Sequence, residues 1–356
     1  MTRDIIGLLL ELLAARRSAA LCRLLETRGS TPQKPGAAML VYPDGRQFGT
    51  IGGGCVEAET KRLALQALAS GRSRIAHFNL DQDEGWNQGL ICGGRMLLAI
   101  EPISDFASHG YLQRLAKALD SRSPVVEAVV FDSQASGLPE CAAFLFDEGG
   151  ELIAFRGIEA DRPAFEIPKT AFFPLSPNTR CWAAGGIAWL PFTPKCRLLL
   201  VGAGHVAQAV AALASDLDFD VWVVDDREEY ASDSRFPAAS RRIAGAIDRV
   251  LSELEIDSDT YCVIVTRGHT HDREALHQLV GRGARYVGMI GSRRKIRLTF
   301  DRLISDGVPA DWLSKVYAPL GIDIGSQTVA EIAISICAEL VSHRNRSGAV
   351  PGKDDR

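Results

Sequence analysis

Residues 196–226, CRLLLVGAGHVAQAVAALASDLDFDVWVVDD, constrain the fold more than any other stretch of the chain. An apolar run meets Gly-Ala-Gly, a helix-spaced segment follows, and a second apolar run ends on two aspartates. Strand, glycine turn, helix, strand and acid within about thirty residues is the pattern of a βαβ unit. Such a unit needs further parallel strands beside it, and residues 260–266 and 285–289 supply two short apolar runs. The pattern DREALHQLV between them and the segments 293–305 and 327–341 read as helices. The expected fold of this half is a Rossmann-like, doubly wound parallel sheet.

Before residue 190 the signals alternate irregularly, and we expect an N-terminal mixed α+β domain. With 356 residues the chain is long enough for about two domains. The expected organisation is a first domain at 1–190, a linker PFTPK at 191–195, the Rossmann-like domain at 196–346 and a flexible tail at 347–356. No internal repeat is visible. The first residues, MTRDIIGLLLELLAARR, read as an amphipathic helix rather than a signal peptide, since Glu11 interrupts the apolar run. No apolar stretch approaches the roughly 18 residues of a membrane span. A net charge of only -4 argues against nucleic acid or an acidic membrane surface as a bulk partner. The 8 cysteines show no CxxC spacing, which fits reduced thiols and a cytoplasmic protein better than a disulfide scaffold or a zinc site.

Two of those cysteines are set among glycines. GTIGGGCVEAE places Gly52, Gly53 and Gly54 directly before Cys55, with Glu57 two residues on. Glycine runs mark backbone that must turn tightly or approach something closely. If the helix begins at Val56, Cys55 is its N-cap, where the dipole and unpaired N–H groups favour a thiolate. The second motif is Cys92-Gly93-Gly94, after a polar loop at 81–89. The two motifs either share a site or serve unrelated turns. A zinc tetrahedron is disfavoured because no histidines accompany the thiols, whereas a soft metal bringing its own sulfur ligands needs fewer protein donors.

In the second domain Gly202 and Gly204 suit a turn against a pyrophosphate, with His205 opening the helix and Asp225 or Asp226 placed for a ribose hydroxyl pair. A dinucleotide such as NAD(P) fits this pattern; so do glycines that only pack helix on sheet. The loop TRGHTHD brings His269, His271 and a carboxylate to the same mouth. GSRRK brings Ser292, Arg293 and two further cations to a helix start, as an anion seat or as a solvated face.

The segments GSTPQKPGAAML, GTIGGGCVEAE, CGG, LLLVGAGHVA, TRGHTHD, YVGMIGSRRK and PLGIDIGSQTVAEIAISICAEL occur in this order. In them the chain resembles the XdhC/CoxI family of accessory proteins for molybdenum hydroxylases, from about residue 15 to 343. The resemblance implies an accessory protein, more a cofactor chaperone than a turnover enzyme. It would bind molybdenum cofactor (molybdopterin), a pterin with a dithiolene and a phosphate, hold it during sulfuration, and deliver it to an apo molybdenum hydroxylase such as xanthine dehydrogenase. Cys55 and Cys92 fall in the family's cysteine motifs and are the candidate molybdenum ligands. Cys55 is equally placed to carry a persulfide from a cysteine desulfurase or to line the pocket. A homodimer is a further expectation. The rival from another class is an NAD(P)-dependent oxidoreductase built on the Rossmann domain.

Overall fold

In the computed structural model residues 2–80, 94–104, 106–120, 124–158, 179–346, 348 and 350 are described. They form two compact units, Met1–Pro194 and Lys195–Arg356. In the first, helix α1 (Thr2–Ala14) buries Ile5, Ile6 and Leu9. It leads into β1 (Ala19–Gly29), β2 (Ala38–Val41), β3 (Gln47–Gly49), α2 (Gly54–Ser70), β4 (Arg74–Asn79) and β5 (Gly94–Ile103). The strands pair antiparallel in the order β3-β2-β1-β5-β4.

Helix α3 (Phe106–Asp120) opens a second series: β6 (Val125–Val130), α4 (Ser133–Ser136), β7 (Ala143–Phe146), β8 (Leu152–Arg156), β9 (Trp182–Ala184) and β10 (Ile187–Phe192). Their order is β8-β7-β6-β10-β9, again antiparallel throughout. Strand for strand this is the topology of the first sheet, so among the described residues the unit repeats one strand order, each time led by a helix. What repeats is strand order and pairing, which a residue-by-residue comparison does not detect. Pro191 and Phe192, expected in the linker, belong to β10. The proline is tolerated because β9 pairs only with Ile187–Trp189, leaving no ladder bond on that side for Pro191 to break.

Helices α1 and α3 share one core with both sheets, including Leu21, Leu40, Leu97, Val129 and Leu145. The other face of the first sheet, with Cys22, Leu24, Met39 and Leu98, packs on Val56, Leu63 and Ala67 of α2. Within the shared core lies a buried ionic network. Arg23 reaches Glu101 at 2.7 Å and Glu127 at 2.5 Å, Arg156 reaches Glu101 at 2.7 Å, and the Tyr111 hydroxyl donates to Glu127 at 2.7 Å. Burial pushes the Glu101 carboxyl up, but Arg156 and Arg23 outweigh it and hold the group below its usual range.

The second unit is a parallel sheet in the order β13-β12-β11-β14-β15, from β11 (Arg197–Val201), β12 (Asp220–Asp225), β13 (Arg241–Ala244), β14 (Thr260–Ile264) and β15 (Tyr286–Met289). Helices α5 (His205–Asp216) and α10 (Val329–Asn345) cover one face. The other is covered by α6 (Ile247–Glu253), α7 (His269–Leu279), α8 (Arg293–Ser305) and α9 (Ala310–Leu313). Thr328 and Glu331 form a capping box that starts α10. Part of the expected tail is packed: the Tyr317 hydroxyl donates to the Gly348 carbonyl at 3.0 Å and Val350 is buried.

His343 on α10 is buried in an aromatic cluster of Tyr261, Tyr286 and Tyr317, with its Nδ1 3.1 Å from the Tyr261 hydroxyl. Burial, aided by Arg285, pushes its pKa down to about 4. A base whose pKa falls on folding stabilises the fold above its unfolded value, near 6.5, and loses that contribution as pH drops toward 4. We expect wild type to lose about 2 kcal/mol between pH 6.5 and pH 4.5 relative to His343→Gln, at roughly 1.4 kcal/mol per pH unit. Urea denaturation of the full chain at both pH values checks this; parallel pH profiles would contradict it.

Candidate functional site

Strand β3 hands the chain to Thr50, and α2 begins at Gly54 with Gly53 as its N-cap. Gly52, Gly53 and Gly54 have φ of 123°, 79° and 64°, three successive residues in a region that L side chains rarely adopt. At Gly52 space matters as well, since a Cβ would lie 2.7 Å from Pro32 Cγ. At Gly53 and Gly54 a Cβ would meet nothing within 4 Å among the described residues.

Glu57, one turn into α2, fixes the curve. Its Oε1 accepts from the backbone N–H of Ile51 at 3.1 Å and Gly53 at 3.0 Å and from the Thr50 hydroxyl; its Oε2 accepts from Gln47 at 3.1 Å. Burial raises the Glu57 pKa, but these four hydrogen bonds outweigh it and keep the carboxylate below its usual range. Cys55 is half-buried in the first turn. It is the second helical residue, not the N-cap expected from sequence, because the helix starts two residues earlier, at Gly54.

Gly94, the last residue of the second motif, opens β5 and pairs with Gly29. A Cβ there would lie 2.8 Å from the Arg28 carbonyl and 2.9 Å from the Thr31 methyl. Gly94 thus lies against Arg28 to Thr31 and Gly52 against Pro32, so one short segment joins the two glycine motifs. Cys92 and Gly93 lie outside the described residues. Sequence reasoning singled out neither Pro32 nor Cys181, whose thiol donates to the Pro35 carbonyl at 3.4 Å and is pushed up to about 11 by burial. Both contacts arise from loop packing that no local spacing encodes. Cys262 and Cys337 are buried thiols, each pushed up to about 12 by desolvation.

In the second unit Gly202 has φ 105°, and a Cβ would sit 2.7 Å from the Val265 carbonyl, so the β11–α5 turn lies against the end of β14. Gly204 caps α5 and His205 is its exposed first residue; among the described residues a Cβ on the glycine would meet nothing within 4 Å. The expected ribose carboxylate is already engaged. Asp225 is buried and accepts from the N–H of Ala203 at 2.7 Å, the N–H of Arg227 at 3.0 Å and the Arg227 guanidinium at 2.8 and 3.0 Å. Burial pushes its pKa up, yet these bonds hold it low. Asp225 locks the glycine turn, and Asp226 pairs with Arg267 at 2.7 Å. Arg235, not anticipated from sequence, donates to Gln208 at 2.8 Å and to the Ala203 carbonyl at 3.3 Å, with Tyr230 between it and Arg227.

The His-x-His-Asp group does not converge. His269 is the exposed first residue of α7, whose N-cap is Gly268. His271 Nδ1 lies 3.0 Å from Glu274, while Asp272 is buried, accepting from the Thr266 hydroxyl at 2.7 Å and forming an ion pair with Lys295. Among the described residues no cluster of three His, Cys, Asp or Glu side chains is arranged for a metal ion. His269 and Ser292, the N-cap of α8, instead line a cavity of about 420 Å³ with Arg273, Arg294, Lys295 and Arg302. Arg293 is exposed and outside that lining. Among the described residues no helix is long and apolar enough to cross a membrane.

Two family models match the chain: the XdhC and CoxI family over residues 12–79, which includes the Gly52–Glu57 loop, and the XdhC Rossmann domain over residues 198–340. The chain is 29% identical over 342 residues to a probable xanthine dehydrogenase subunit of Bacillus subtilis, covering 95% of this chain and 97% of that protein. It is 26% identical over 354 residues to the molybdenum cofactor insertion chaperone PaoD of Escherichia coli, covering 98% and 92% respectively. The crystal structure of a xanthine dehydrogenase from Bacillus halodurans matches with a TM-score of 0.76 at 27% identity, over 98% of this chain and 97% of that one.

Proposed function

Because the chain belongs to the XdhC and CoxI family, we propose that it binds molybdenum cofactor as cargo and holds it while the metal acquires its terminal sulfur. It then delivers the cofactor to an apo molybdenum hydroxylase of the xanthine dehydrogenase type. The names of the relatives support this reading, and so does the chemistry of the loop at Gly52–Glu57. A dithiolene-bound molybdenum is anionic and soft, so it suits a thiolate beside backbone N–H groups that no helical carbonyl can satisfy. Cys55 stands in the first turn of α2 directly after Gly53 and Gly54, where among the described residues a Cβ would meet nothing within 4 Å. That juxtaposition carries the proposal.

In this account Cys55 contacts the metal or its incoming sulfur, the three glycines let the backbone approach, and Glu57 holds the loop in shape. Cys92 is the second candidate thiol. The Gly202–Gly204 turn and the cationic cavity at α7 and α8 are assigned to the phosphate groups of a separate ligand, a dinucleotide such as NAD(P). The sulfur donor is a cysteine desulfurase, the setting is the cytoplasm, and the acting form is a homodimer. A cell lacking this protein should make hydroxylase that is folded but inactive. Wild type should restore activity and Cys55→Ala should not; full hydroxylase activity without the protein would refute the delivery role.

A further inference from the structure

We infer that the first unit carries a separate oxyanion seat, built by Arg28 and Arg95, that takes the phosphate group of its cargo. The identity of the cargo rests on the reading above; the existence of the seat does not. The β1–β5 register sets Arg28 directly opposite Arg95, and the β4–β5 register sets Asn79 opposite Arg95 and His77 opposite Leu97. These positions alternate along their strands, so the side chains share one face of the sheet. Together with Glu26 they line a cavity of about 430 Å³.

Two like charges directly opposite on antiparallel strands repel each other. Glu26 relieves only part of this: its Oε1 takes the Arg28 Nε at 2.9 Å, and among the described residues the terminal guanidinium nitrogens of Arg28 make no side-chain hydrogen bond. Arg95 makes no side-chain hydrogen bond or ion pair among the described residues. A bound oxyanion would turn the repulsion into a pair of charge-assisted contacts, which the planar guanidinium forms bidentately. His77 and Asn79 add donors on the same face. The location joins the seat to the proposed site, because Arg95 follows Gly94 and Arg28 begins the segment on which Gly94 and Gly52 both press.

The test compares uptake of molybdopterin and of its enzymatically dephosphorylated form by the full-length wild type and by R28Q/R95Q. Wild type is expected to prefer the phosphorylated form at least tenfold. The double variant should bind both forms alike, with its affinity for the dephosphorylated form unchanged. Equal binding of the two forms by wild type, or an undiminished preference in the variant, would overturn the seat while leaving cofactor binding intact. If neither form binds to either protein, the cargo reading fails and titration with inorganic pyrophosphate decides the seat. One saturable site lost in R28Q/R95Q upholds it, and identical titrations overturn it.

Discussion

Arg23→Ala should destabilise the first unit by about 3–5 kcal/mol, the usual consequence of removing one member of a buried ionic network. Arg23 is 5% exposed and serves two carboxylates, Glu101 and Glu127, that are themselves 0% and 1% exposed. Without it, among the described residues, Glu101 keeps Arg156 alone and Glu127 the Tyr111 hydroxyl alone. Each must then either hold a charge without its partner or take up a proton in the interior. The network ties β1 and β5 of the first sheet to β6 and β8 of the second and to α3, so its failure loosens both halves of the unit. Removing charge in balance, as Arg23→Met with Glu127→Gln, should cost less than the single change. Denaturant unfolding of the three proteins measures this; a loss below about 1 kcal/mol in Arg23→Ala would show the network to be dispensable.

Gly52→Ala should abolish cofactor retention, with at least a tenfold loss, for two reasons that add. Its φ of 123° is strained for alanine, at about 1–3 kcal/mol, and its Cβ would press into Pro32. The backbone must then move away from Pro32 or release Glu57, and either shift displaces Cys55. Gly53→Ala is the comparison. At φ 79°, with no described residue within 4 Å of a Cβ, its penalty is that of the left-handed conformation, about 1–2 kcal/mol. Cofactor bound per chain should therefore fall further in Gly52→Ala than in Gly53→Ala. Equal retention in Gly52→Ala and wild type would mean that the contact between the loop and Pro32 plays no part in binding.

The parts of this protein that are legible in its sequence are those encoded by local spacing. The parallel sheet was readable because each strand is a short apolar run next to a glycine turn or a helix, and Gly202 has to turn where it does. The same reasoning misses β13, whose residues Arg241–Ala244 are partly exposed and carry two arginines, and it assigns to a linker Pro191 and Phe192, which the sheet accommodates in β10. The duplicated topology escaped notice because it resides in which strands pair. At the site, the glycine run announced unusual backbone, and the structure gives the reason position by position: conformation at Gly53 and Gly54, conformation and contact at Gly52. The spacing of Asp225 suggested a ribose ligand, but burial and four hydrogen bonds make it the lock of the turn. Arg28 and Arg95 are far apart in sequence and become neighbours only through register, so no motif contains them.

The central claim is that the chain binds molybdenum cofactor through the loop ending in Cys55. The most direct measurement is molybdenum and released pterin per chain, in wild type and Cys55→Ser purified from cells that make the cofactor. The account predicts close to one of each per wild-type chain and a loss of at least tenfold in the variant, with both proteins equally folded. Cofactor retained in full by Cys55→Ser, or absent from wild type, would contradict it.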